Sequence, residues 1–279
     1  MIRPFQPIAV DNSLLSSELS CDSAAPMQTP ASPAPWELLL EDGPLLAVNK
    51  SAGLLTQGVP HKLPALDWLV KDFLRQKYQK PGNVYLGVPH RLDRPVSGIV
   101  VLAKNSKAAA RLAEQFRERQ IRKFYYGVTE VVPIRPSGVL QDWLLKDAEA
   151  AHVQVVVPLT PGAKQAELRY RVLAVSDEGR ALVEVELITG RMHQIRVQLA
   201  SRGWPIVGDL QYGASEPFPG VGAYDPQASA IALHAGQLEL SHPVRYDRLV
   251  PRAPFPPAWE RLGFELAAIA MTTLPQPVA

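Results

Sequence analysis

Apolar residues run without a break over Leu45-Leu46-Ala47-Val48 until Asn49-Lys50-Ser51-Ala52-Gly53 interrupts them, which predicts a short strand and a loop. Over residues 65–78 the apolar positions are Leu66, Leu69, Val70, Phe73 and Leu74, the spacing of an amphipathic helix. Ile99-Val100-Val101-Leu102-Ala103 is continuously apolar and rich in β-branched residues, so it predicts a strand covered on both faces. Residues 106–119 return to helical spacing, with Ala108, Leu112 and Phe116 on one stripe and Asn105 or Ser106 as cap. Further on the period becomes two. Leu168, Tyr170 and Val172 alternate with charged residues, and Val183, Val185 and Leu187 alternate with Glu184 and Glu186, as strands with one buried face do. Thr189-Gly190 ends the second of these, with Gly190 expected to supply an unusual backbone turn, and residues 193–201 predict a short helix.

Together these elements predict one α+β domain over residues 36–265, a mixed, mainly antiparallel sheet flanked by helices and loops. Proline changes the picture at the ends. Of 27 prolines, Pro26, Pro30, Pro33 and Pro35 cluster early and six fall after residue 250. Each removes a backbone donor and fixes φ, so residues 1–35 are expected to be a disordered proline-rich segment and 266–279 a C-terminal tail. No internal repeat is visible.

Charge adds little by itself. Lys and Arg total 29 against 27 acidic residues, a net of +2, so any surface for nucleic acid must be local. Cys21 is the one cysteine, which excludes a disulfide framework and a cysteine-rich metal site and fits a reducing cytoplasm. The opening Met-Ile-Arg-Pro-Phe-Gln lacks the apolar stretch of a signal peptide, and no run of about 18 apolar residues predicts a membrane span.

Three segments carry candidate chemistry. In His90-Arg91-Leu92-Asp93-Arg94-Pro95-Val96-Ser97-Gly98 an acid stands between two arginines on a loop entering a buried strand. Guanidinium charge favours the carboxylate form, and loops on rigid scaffolds often carry reactive groups. On composition alone a plain surface loop, with Asp93 capping a helix or pairing with Arg94, is the favoured reading. In Thr189 to Ala200, Arg191, His193 and Arg196 gather where a helix begins, an arrangement suited to anions, or else an ordinary basic helix face. From Lys104 to Lys123 seven basic residues face two acidic ones, with Phe124, Tyr125 and Tyr126 following. Basic residues beside aromatics suit a phosphate backbone with a stacked base, whereas a solvated helix running into a core strand accounts for Phe124 and Tyr126.

Taken together, these motifs resemble the RluA-type pseudouridine synthases, which act on ribosomal and transfer RNA. The likeness runs from Leu45 to about Val244. Val48 to Leu55 is similar to the family's opening strand and loop, and Gly208-Asp209-Leu210-Gln211-Tyr212-Gly213 and Leu233-His234-Ala235 to later structural signatures. The resemblance implies that Asp93 is the catalytic aspartate, Tyr125 the tyrosine that stacks on the target base, and Arg196 the arginine paired with Asp93. It implies RNA contacts by His90, Arg91, Arg94, Lys123, Arg191, His193 and Ile195. Departures from the family pattern are Val96 for threonine, Ala52 for proline and Gln198 for histidine. The extra N-terminal RNA-binding domain common in the family is expected to be absent.

Isomerising uridine imports no group and oxidises nothing, so no cofactor or metal is expected. RNA is the expected partner, in the cytoplasm, with no obligate protein partner and a monomeric chain. The basic run, with Arg91, Arg191 and Arg202, is expected to form one positive wall around Asp93. Two other classes stay open: a catalytically silent RNA-binding module, and a glycosidase-like hydrolase needing a second acid such as Asp209 or Glu184. Asp209 sits in a glycine-flanked turn that reads as structural.

Overall fold

A computed structural model describes residues 35–58, 63–147, 151–219 and 230–265. The segments expected to be disordered lie, apart from Pro35, outside these residues. The described chain forms strands β1 (Trp36–Asp42), β2 (Leu45–Lys50), β3 (Ser97–Ala103), β4 (Arg122–Thr129), β5 (Ser137–Lys146), β6 (Val153–Val156), β7 (Lys164–Val175), β8 (Ala181–Leu187), β9 (Leu233–Ser241) and β10 (Arg248–Leu249). Helices are α1 (Leu66–Lys77), α2 (Ser106–Arg117) and α3 (Gln194–Ala200). None of them is long and apolar enough to cross a membrane.

One sheet holds every strand, in the order β1-β2-β3-β9-β4-β8-β7-β5-β6, with β10 off this path, pairing the Leu240–Ser241 end of β9. All pairings are antiparallel except β3 with β9, which run parallel through Ser97–His234 and Gly98–Ala235. The α+β class and the mixed, mainly antiparallel sheet expected from the sequence are therefore present. β9 lies between β3 and β4, so it joins two blocks of sheet that the chain makes separately.

The apolar runs explain the centre. Every residue of β3 is buried, and Leu45 to Val48 of β2 have no exposed surface. Each Leu, Ile or Val so covered contributes roughly 1.5–3 kcal/mol. α1 lies on β1, with Trp36 edge-on to Phe73 at 5.3 Å. α2 starts at Asn105, whose Oδ1 accepts from the Ala108 amide at 2.8 Å, and exchanges two hydrogen bonds with Ser241 through Gln115. A smaller core of Leu144, Val153, Ala166, Val197 and Tyr212 seats α3 on β5 and β6.

Gly98 is where the parallel pair closes. Its φ is +117°, and a Cβ there would come 2.3 Å from the Ala235 carbonyl oxygen, so glycine lets the two backbones meet. The turn expected at Gly190 is instead taken by His193, whose φ of 52° is left-handed. At Gly190 a Cβ would meet Lys123 Nζ at an ordinary contact distance of 3.5 Å.

Candidate active site

Asp93 sits on the loop that enters β3, and residues 50–56 hold that loop from beneath. Thr56 Oγ1 donates to the Leu92 carbonyl at 2.8 Å and accepts from the Leu92 amide at 3.1 Å. The Gly53 amide donates to the Arg94 carbonyl at 2.8 Å, and Arg94 Nε returns a bond to Gly53 O at 3.0 Å. Lys50, fully buried at the end of β2, donates to the carbonyls of Ser51, Leu54 and Arg94. Burial pushes its ammonium down to about 7, while the Asp93 charge works against that fall. The loop is thus fixed on both sides of Asp93 by partners some forty residues earlier.

The cationic half of the site comes from α3. Arg196 is 3% exposed and grips Asp209 with two bonds of 2.7 Å, from Nε and from Nη2. Nη2 also donates to Gln211 Oε1 at 3.0 Å. Its Nη1 lies 3.7 Å from Asp93 Oδ2, and His193 Nε2 lies 3.7 Å from the same oxygen. Arg196 therefore does face Asp93, as the resemblance implies, but its strong partner is Asp209. Asp209, itself 1% exposed, does more than shape a turn: it fixes the arginine that fronts the nucleophile candidate.

Between these halves opens a cleft of about 790 Å³, lined by Asp93, Tyr125, His193 and Arg196 with Leu55, Val96, Leu187 and Ile195. Tyr125 points from β4, one residue from buried Tyr126, as alternation along a strand requires. Burial first, and then the Asp93 charge, raise its hydroxyl well above the ordinary tyrosine range, so it stays protonated and able to donate.

Of the residues expected to contact RNA, His90, Arg91, Lys123, Arg191, His193 and Ile195 line the cleft. Arg94 does not; its guanidinium belongs to the loop clamp described above. The His90 ring is also committed. It stacks on Phe116 at 4.4 Å, its Nε2 accepts from the Val101 amide at 2.9 Å, and burial holds it neutral with a pKa of about 3. Arg117 and Arg119 add to the rim. The expected positive wall is narrower than the basic run, because Lys104 pairs with Glu41, Arg111 with the Pro243 carbonyl, and Arg202 with Asp142.

Sequence reasoning assigned no role to Lys50, Thr56 or Tyr212. A lysine closing an apolar run was a signal for the first; the other two are ordinary residues whose partners are distant in the chain. Of the departures from the family pattern, Gln198 lies outside the cleft lining. Its Nε2 donates to Asp142 at 2.6 Å, and its buried Oε1 has no partner among the described residues.

Known proteins resemble this chain in sequence and in fold. A family model described as RNA pseudouridylate synthase matches residues 44–201. The dual-specificity RNA pseudouridine synthase RluA of Escherichia coli is 32% identical over 221 residues, 79% of this chain and 94% of that one. A Zymomonas mobilis RNA pseudouridine synthase is 36% identical over 228 residues, covering 81% and 97%. The ribosomal large subunit pseudouridine synthase C of Rickettsia felis is 32% identical over 207 residues, and the match spans only 63% of its length. Among solved structures, human RNA pseudouridylate synthase domain containing 4 superposes with a TM-score of 0.64 at 27% identity, over 81% of this chain and 92% of that one. With this breadth of similarity the chain belongs to the RNA pseudouridylate synthase family, in its RluA-type branch, and is an isomerase of that kind.

Proposed function

We propose that this enzyme isomerises a specific uridine in ribosomal or transfer RNA, with Asp93 as nucleophile and the uridine flipped out of its stack into the cleft. The observation that carries the reading is the placement of Asp93: a carboxylate one-third exposed at the cleft, with Arg196 and His193 against one of its oxygens. The reaction breaks the N1–C1′ bond, turns the uracil and joins C5 to C1′; the proton lost from C5 is balanced by the one gained at N1. A group that attacks and then leaves suits this sequence, and a carboxylate does both.

The other residues take supporting roles. Flipping costs a few kcal/mol. Tyr125 offers a ring on which the base can stack, returning about 1–3 kcal/mol. Arg196 orients Asp93, held in turn by Asp209. Arg91, Arg117, Arg119, Lys123 and Arg191 on the rim suit the phosphates. The ribosomal name of one relative supports ribosomal RNA as substrate, and the dual-specificity name of another supports a second RNA beside it. The catalytic domain in this reading is residues 36–265.

The test is conversion of uridine to pseudouridine in ribosomal and transfer RNA transcripts by the purified protein and by Asp93→Asn. Pseudouridine at one position with wild type, and none with the variant, is the expected result. RNA binding without product from wild type would instead favour a silent binding module, and release of free uracil a hydrolase.

A further inference from the structure

We propose that Tyr212 fixes the tautomer of His193, so that His193 presents an N–H to Asp93 and acts beside Arg196 as a second positioning residue for that carboxylate. The proposal rests on the reading of Asp93 as nucleophile.

The argument starts at the Tyr212 hydroxyl. It accepts from the Val153 backbone amide at 3.0 Å, and its other neighbour is His193 Nδ1 at 2.8 Å. A phenol has one proton to give. If Nδ1 carried the histidine proton, both neighbours would donate to the tyrosine oxygen. Its own buried O–H would then have no acceptor among the described residues. Tyr212 therefore donates to Nδ1, and the proton of a neutral His193 sits on Nε2, the nitrogen 3.7 Å from Asp93 Oδ2.

Burial pushes His193 below its ordinary range, with Arg196 and His152 lowering it further while Asp93 and Asp209 oppose. The shift favours the neutral ring, and in that form the tautomer is the variable that counts. Its partner cannot swing away. The Tyr212 ring has His152 stacked at 4.9 Å and the Arg196 guanidinium over it at 4.9 Å. His193 itself holds a left-handed backbone, a conformation side chains with a Cβ avoid and one that recurs where function demands it. His193 and Arg196 both address Oδ2, leaving Oδ1 for attack. A separation of 3.7 Å exceeds a hydrogen bond, and such contacts commonly tighten when substrate binds.

The experiment uses the full chain labelled with 15N-histidine. Multiple-bond 15N–1H spectra at neutral pH should show His193 protonated at Nε2 in wild type, and shifted toward Nδ1 protonation in Tyr212→Phe. A wild-type His193 protonated at Nδ1, or no change in Tyr212→Phe, overturns the proposal. Turnover supplies a second readout that does not need Tyr212→Phe to fold. His193→Gln places an amide N–H near the Nε2 position, whereas His193→Asn places it near Nδ1. Losing one hydrogen bond to the carboxylate corresponds to about a tenfold loss in kcat, so Gln should exceed Asn by about that factor with similar KM for RNA. Asn equal to or better than Gln overturns the proposal. The spectra do not depend on whether Asp93→Asn is active, so failure of the tautomer and failure of the nucleophile reading are told apart.

Discussion

Arg196 gives its two shortest bonds, 2.7 Å each, to Asp209 and meets Asp93 only at 3.7 Å. The pair is buried on both sides, so removing one partner leaves the other as an uncompensated charge. Asp209→Ala should cost about 3–5 kcal/mol of stability. Asp209→Asn should cost less but release Arg196, lowering kcat more than it raises KM. Chemical unfolding and steady-state kinetics on the two variants check this. An Asp209→Asn enzyme of wild-type kcat would remove Asp209 from the site.

Asp93→Asn keeps shape while removing charge and nucleophile. A loop residue without a catalytic role would change stability by no more than about 0.5 kcal/mol and leave turnover intact. The expected outcome is an equally stable protein, unchanged in circular dichroism, with no detectable pseudouridine. RNA affinity should hold or rise, since one negative charge beside the phosphates is gone. Retention of more than roughly a few per cent of wild-type activity would falsify the nucleophile assignment.

Tyr125→Phe preserves the ring and removes a hydroxyl that burial keeps protonated. RNA binding should be unchanged and kcat reduced if that proton moves in the reaction. Tyr125→Leu should also weaken the hold on the flipped base, by about 1–3 kcal/mol. Wild-type rates in both variants would return Tyr125 to the core.

Five cations line the rim, Arg91, Arg117, Arg119, Lys123 and Arg191, of which Arg117 shares exposed pairs with Glu114 and Glu118 and Arg191 donates to the Gln165 carbonyl. If three to five of them meet phosphates, log affinity against log salt should fall with a slope of about −2 to −4 for single-stranded RNA. Filter binding over a range of salt measures it, and Arg119→Ala should make the slope shallower by about 0.7. A flat response would rule out this surface.

Acid should weaken the fold through His234. It is fully buried, its Nδ1 meets Ser97 Oγ at 2.9 Å, and burial pushes it down to about 4 from an ordinary 6.5. The unfolded chain therefore takes up a proton before the folded one does. The stability His234 contributes is complete above 6.5 and is lost as pH falls toward 4, at up to about 1.4 kcal/mol per pH unit. His90, down to about 3, adds a second such group. Urea midpoints across this range should fall steeply in wild type and less so in His234→Gln.

Elements with a strong local period were legible: β2, β3, β8, α1 and α2 lie where periodicity places them, because the burial that selects them is written in adjacent residues. Asp93 and Tyr125 were legible as candidates through the motifs around them. What escaped depended on pairing at a distance. Arg94 flanks Asp93 in sequence, yet its guanidinium turns to Gly53. Asp209 stands thirteen residues after Arg196, and nothing local separates an acid that shapes a turn from one that clamps an arginine. Nor does any pattern within Leu233–Ser241 tell that this strand enters the middle of the sheet.

That insertion of β9 governs the order in which the enzyme can come into being. β1, β2 and β3 are made first and β4 to β8 afterwards, and neither group pairs with the other except through β9. Ser97 and Gly98, which end the Asp93 loop, find their β9 partners at His234 and Ala235. Without β9 no strand pairing among the described residues joins the sheet half that carries the Asp93 loop to the half made of β4 to β8. Closing so long a connection carries an entropic cost. A chain that stops before β9 therefore lacks the strand that brings the two sides of the cleft into one sheet.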